Sequence, residues 1–312
     1  MPSAITIKNT ELSGQIFFQN LPKTKRPRHF SNIKIKNRVA LDDTCAGLIV
    51  AYPDWKQTDV PPVPYPPCVL GQAAENVGIQ ECLLLNPYEA IRLVRAHRHI
   101  VRNVTGYPIC RGIFVDMCGD IGHIENVHFW PFGVDYKPDD PFCKWVNTQG
   151  VAFEFARTDW QYVFNTFCFG YGIGYKFSKS KDGSENGNFL GLGADSCQRA
   201  VVVEQAQPYG LLISNGEFVG RWSSTNAVCL EIGPLAEGKV SLANCAFWGP
   251  IDRCVWMRRS QVAMVRRKPR RVADVFHREK LCRYHRMGDI KNRRARVSTP
   301  GRAQVTSHSA KG

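Results

Sequence analysis

Several things are missing from this chain of 312 residues, and each absence removes a class of protein. No run of 18 uncharged apolar residues occurs, so no helical membrane span is expected. Its 12 cysteines form no Cys-x-x-Cys pair, which excludes zinc-ribbon spacing. A glycine-rich phosphate loop, a nucleophile elbow and the paired histidines of zinc proteases are also absent. No window of 12 residues carries an amphipathic helical stripe, which argues against a doubly wound α/β fold with crossover helices. What the chain has instead is a set of short apolar runs, each tied to an Asn or a small residue.

One half of that pattern is an apolar residue, any residue, then Asn. It reads Ile7-Lys8-Asn9, Ile35-Lys36-Asn37, Val101-Arg102-Asn103, Ile124-Glu125-Asn126, Val163-Phe164-Asn165, Ile213-Ser214-Asn215 and Leu242-Ala243-Asn244. The other half is a small residue followed by apolar residues at alternate positions, starting at Gly47, Ala90, Gly112, Gly150, Gly172, Ala200 and Ala227. The steps between starts are 43, 22, 38, 22, 28 and 27, with a minimum of 22 that suits one turn of a coil. Period-two alternation without intervening helices predicts an all-β fold: a single-stranded right-handed parallel β-helix of about 8–9 coils. Like residues then stack about 4.8 Å apart. The expected inward columns are Leu48, Ile91, Ile113, Val151, Ile173, Val201, Val228 and Val50, Leu93, Val115, Phe153, Tyr175, Val203, Leu230. Asn suits the turns because its short amide tolerates left-handed backbone and can bond to the next coil.

The β-helix is expected over residues 1–257. The formal net charge of +14 belongs entirely to residues 258–312, where 17 basic residues face 3 acidic ones. That segment lacks the repeat and reads as a disordered or aberrant basic tail. It is the one part of the chain suited to nucleic acid, through nonspecific phosphate contacts. At the other end the strand pattern begins at Ile5, leaving no signal peptide in this stretch and no cap over the first coil. A missing N-terminal segment or a partner chain is the expected cover. The cysteines read as small hydrophobes stacked inside the coil.

Two insertions carry proline and aromatic residues: 52–76 with Trp55, and 130–149 with Trp130, Tyr136 and Trp145. A third loop, 178–188, is polar. Stiff loops on a rigid scaffold are where binding residues collect, so these four aromatics are candidate sugar-stacking groups.

The same alignment places Asp116, Glu154, Lys176, Glu204 and Glu231 in one outward column. Adjacent carboxylates at Asp116 and Glu154 could divide acid and base roles in glycoside hydrolysis. Lys176 beside them suggests instead proton abstraction next to a uronate and β-elimination, with the acids holding a Ca2+ ion. Asp120 and His123 form a second candidate set. An ordinary cross-strand ion-pair ladder would explain the same column without any chemistry.

The Asn turns and Gly-led strands of residues 4–257 resemble the pectate-lyase-like right-handed parallel β-helix superfamily, which includes pectate lyases, polygalacturonase-type hydrolases and tail-spike depolymerases. The polygalacturonase signatures are not intact here: Gly122-His123 lacks the following Gly. The resemblance implies an extended polysaccharide along the outer face of one sheet, cleaved by a hydrolase or lyase, and an extracellular or cell-surface setting. The alternative is a noncatalytic carbohydrate-binding or adhesive module.

Overall fold

Strands that repeat at the coil period lie side by side and pair in parallel: Val69 with Ile91, Ile91 with Ile113, and, across a longer loop, Ile113 with Phe153. In the computed structural model, residues 16–19, 34–35, 48–51, 56–221, 226–258 and 263–266 are described. The chain is an all-β parallel solenoid of about seven turns, slightly fewer than the repeat suggests. Its strands form two sheets, of nine and twelve strands. The nine-stranded sheet is built from the small-residue halves and the twelve-stranded sheet largely from the Asn halves.

The inward columns do not keep their register, and Val151 and Ile173 do not keep their face: both are half-buried beside Arg111 and Arg199, outside the core. Phe153, not Val151, lies beside Ile113, and Leu230, not Val228, beside Val201. Each slip is two residues, and side chains alternate with period two, so the later apolar residues of each strand, such as Phe153, Phe155, Tyr175 and Phe177, still point inward. Leu48 and Val50 belong to the other sheet, beside Cys82 and Leu84. The step of 43 conceals a further rung, Val69–Gln72, inside the predicted insertion 52–76.

The widest coils are filled by stacked rings. Phe129, Phe153 and Tyr175 follow one another at centroid separations of 5.1 and 4.8 Å. Phe155 and Phe177 stack beside them at 5.8 Å. All five are fully buried, and burial of each such side chain stabilises by about 1.5–3 kcal/mol. Buried Tyr175 hydroxyl donates to the Thr166 carbonyl at 3.0 Å, so its polar end is satisfied.

The Asn turns are as expected. Asn103, Asn126, Asn165, Asn215 and Asn244 all have φ between 52° and 54°. Their amides form a ladder: Asn126 donates to Asn103 at 2.6 Å, Asn165 to Asn126 at 3.4 Å and Asn244 to Asn215 at 2.7 Å. Gly191, at φ 67°, takes the turn between Asn165 and Asn215 and breaks the ladder. Asn9 and Asn37 lie outside the described residues.

Four further features depart from the expectations. Residues 130–149 are not all loop: Pro141–Gln149 is a helix, with Asp140 Oδ1 accepting the Cys143 N–H at 3.1 Å. It is too short to register in a window of 12. Parallel pairing also continues past residue 257, since Ala263–Arg266 adds to the twelve-stranded sheet. The remaining tail, with its nucleic-acid reading, lies outside the described residues. None of the ten described cysteines is in a disulfide, and seven are buried. They are spread over several positions, not one column, although Cys168 and Cys197 approach to 4.0 Å.

Candidate functional site

The outward column on the nine-stranded sheet closes on itself. Register places Phe114, not Asp116, beside Glu154, because of the two-residue slip. Asp116 instead tops its strand, where its Oδ1 accepts the N–H groups of Met117 and Arg157 and the hydroxyl of Ser180 at 2.9–3.0 Å. Glu154 is held by Arg111 at 3.1 Å and Lys176 at 3.4 Å, and Lys176 reaches Glu204 at 3.1 Å. Arg111 continues the ladder to Glu89 at 3.2 Å. Partial burial works against the Lys176 charge, but Glu154 and Glu204 outweigh it and hold the ammonium above the usual lysine range. An ammonium held there is a poor general base at neutral pH. The structure therefore does not bring Asp116 and Glu154 together, and it joins Glu154 and Lys176 as partners in a paired ladder.

The open chemistry lies on the outer face of the twelve-stranded sheet. A groove of about 780 Å³ is lined there by Asp120, Asp159, Trp160, Asn186, Asn188 and Tyr209. Trp160 and Tyr209 are 60% and 77% exposed, unusual for rings of that size. The local backbone explains how Trp160 comes to stand there. The pairing register shifts between Thr158 and Gln161, and Trp160 itself has φ 54°, a left-handed conformation a bulky residue seldom adopts. A bulge of this kind re-aims a side chain, and here the Asn186 side chain fixes it by accepting the Trp160 N–H at 3.1 Å.

The polar floor is firmly set. Asp159 pairs with Arg157 at 2.7 Å and accepts from Asn186 and Gln207 at 2.8 and 2.9 Å. Partial burial disfavours its charge, yet those donors hold the carboxyl below the usual carboxylate range. It is an ionised hydrogen-bond acceptor and not a proton donor. Asp120 pairs with Arg98. His123 lies flat against Tyr162, with centroids 5.3 Å apart and planes 12° apart. Asp120 thus lines the groove, and His123 packs on the same outer face two strands from Asn188. Asn186 and Asn188 sit within the strand Glu185–Cys197, so the predicted polar loop at 178–188 ends in sheet.

Beyond the groove, exposed Phe164 and Leu190 pair side by side and form a low apolar ridge. Past it lies a second groove of about 300 Å³ at the Asn corner, lined by Asn126, His128, Asn165, Phe167, Gly193 and Glu217 among others. A Cβ at Gly193 would stand 2.7 Å from Phe167 Cδ2, so only glycine lets the ring lie across that floor.

The loop aromatics divide. Trp130 is exposed and packs on Phe169 at 4.4 Å. Tyr136 is T-shaped against Phe169 at 5.3 Å and bonded to Asn147, while Trp145 packs against the core and Tyr88. Those two fasten the helical insertion to the solenoid and line neither groove. Trp55 lies outside the described residues. Among the described residues no three His, Cys, Asp or Glu side chains gather in a way that could hold a metal ion, so no set of Ca2+ ligands can be named.

Sequence reasoning named Asp120, which lines the groove, and His123, which lines neither groove, and passed over Trp160 and Tyr209. Trp160 falls where the bulge breaks the alternation, and Tyr209 follows a proline in a turn, so neither belongs to a repeating position. Comparison with family models, with curated proteins and with solved structures gives no match for this chain.

Proposed function

We propose that this protein binds an extended polysaccharide across the outer face of its twelve-stranded sheet. One observation carries the reading: a bulge-positioned, solvent-exposed Trp160 and an exposed Tyr209 line the same groove as the hydrogen-bonded Asp159 carboxylate and the Asn188 amide. Sugar rings present an apolar face to aromatic rings and hydroxyl donors to acceptors, and the groove offers both. The Phe164–Leu190 ridge extends the apolar surface beyond one sugar. The pectate-lyase-like likeness supports the same ligand class by analogy of fold alone. The reading carries a setting with it, outside the cell or at its surface.

Binding, and not cleavage, is the core of the proposal, because Glu154 and Lys176 are consumed by ion pairs. The test is a panel of neutral, acidic and amino-sugar polysaccharides, scored for retention and then by calorimetry. Trp160→Ala and Tyr209→Ala should each weaken the best ligand by about tenfold, the value of one aromatic contact of about 1.4 kcal/mol. Glu154→Gln should leave affinity unchanged. Unaltered binding by both aromatic variants would overturn the site. Release of reducing ends or of unsaturated, ultraviolet-absorbing ends in the same panel would turn the binding protein into a hydrolase or a lyase.

A further inference from the structure

The second groove has an uneven charge inventory. Of its polar lining groups, Glu217 is the carboxylate, and its recorded partner is the Trp248 indole, which donates to Glu217 Oε1 at 2.8 Å. No Lys or Arg lines the groove. His128 supplies no positive charge either, since burial pushes its imidazole below the usual range and leaves it neutral at pH 7.

A second carboxylate stands close by. Asp195 is two residues beyond Gly193, the residue paired with Glu217, on the same face of the sheet. Its Oδ1 is buried without a hydrogen-bond partner. Burial raises the Asp195 carboxyl, the Ser196 N–H opposes that, and repulsion from Glu217 adds to it; no cation offsets them. Beside these acids Phe167 supplies an aromatic face in the groove floor, while Trp248 meets Glu217 through its indole N–H edge. Two carboxylates short of donors, with an aromatic face beside them, form a setting that rejects anions and favours an ammonium group. The groove is also placed for a ligand shared with the first one. Leu212 of the first groove and Asn215 of the second are three residues apart along the chain, about 10 Å at strand rise.

We propose that the groove around Glu217 recognises a free amino group, so that the glycan taken by this face carries hexosamine residues with unsubstituted amines, and not uronates. This rests on the polysaccharide-binding reading above. It also runs against the uronate chemistry suggested by Lys176, which lies on the other sheet.

The test compares three tetrasaccharides by calorimetry on the full chain at pH 6 and low salt: glucosamine, its fully N-acetylated counterpart, and galacturonate. The glucosamine tetramer should bind about tenfold more tightly than the acetylated one, from one charge-assisted contact, and the margin should shrink as salt rises. Glu217→Gln keeps an oxygen for the Trp248 indole; it should erase the margin and leave the acetylated ligand unaffected. Equal affinities, tightest binding of the galacturonate, or a margin that survives Glu217→Gln would overturn the proposal. Trp160→Ala should weaken both amino-sugar ligands together. A Trp160→Ala variant that leaves the affinities of both amino-sugar ligands unchanged, with the glucosamine preference intact, would uphold the charge recognition and defeat the polysaccharide site. Failure of all three ligands to bind would defeat both.

Discussion

At the scale of single residues, His99 and Glu185 sit in the coil interior, where their surroundings forbid their charges. His99 is fully buried; burial lowers its imidazole to about 4, and the Ala96 carbonyl accepts its Nδ1 proton at 2.8 Å. Glu185 is also fully buried, and burial holds its carboxyl protonated well above the carboxylate range, despite a hydrogen bond from Thr158. The two act on stability at opposite ends of the pH scale. Between about 6.5 and about 4 the unfolded chain protonates His99 while the native state does not, so stability falls as pH drops, by at most roughly 3 kcal/mol. Above about pH 4.3 the unfolded chain releases the Glu185 proton that the native state keeps, so stability falls as pH rises. Glu185→Gln removes the second effect alone. Urea unfolding should show a gain in stability that grows from pH 5 to pH 8 and vanishes near pH 4. A gain independent of pH would mean that Glu185 is ionised in the native state.

At the scale of elements, the Asn ladder ties turn geometry to coil stacking. Asn126 has φ 53° and its side chain both donates to Asn103 and accepts from Asn165. Asn126→Ala loses the ladder bonds and meets the left-handed penalty, together about 1–3 kcal/mol by chemical denaturation. Asn126→Gly should recover the backbone part alone and fall between the two. Equal losses for Ala and Gly would assign the whole effect to the amide bonds. The same elements show what could be read from the chain before its structure. The turns were legible because Asn serves backbone and neighbour at once, and most of the inward face because alternation survives an even slip except at strand starts such as Val151 and Ile173. The exact register was not, since loop lengths between coils set it, and neither sheet pattern records them. The Asp116–Glu154 pair was lost to that two-residue slip. Trp160 stayed hidden for a related reason: a bulge is a local exception to the period from which the strands were recognised.

For the whole molecule, each coil touches chiefly its neighbours, and the two sheets do different work. The nine-stranded sheet joins its coils outwardly by ion pairs from Glu89 to Glu204, whereas the twelve-stranded sheet, which has ion pairs of its own, also leaves large rings at Trp160 and Tyr209 exposed. Lengthwise order of this kind predicts stepwise opening. The buried thiols turn it into something that can be timed. Cys68, Cys82, Cys118, Cys168, Cys197 and Cys229 are each at most 2% exposed and occur at intervals through the described coils. Burial pushes Cys82 and Cys118 up to about 12, so neither reacts while its coil is closed. A pulse of alkylating reagent, followed by peptide mass analysis, should label Cys229 and Cys68 before Cys118 and Cys168. Uniform labelling would mean that the solenoid opens in one step. The protein thus carries its own row of chemical clocks, one for nearly every stage of its unwinding.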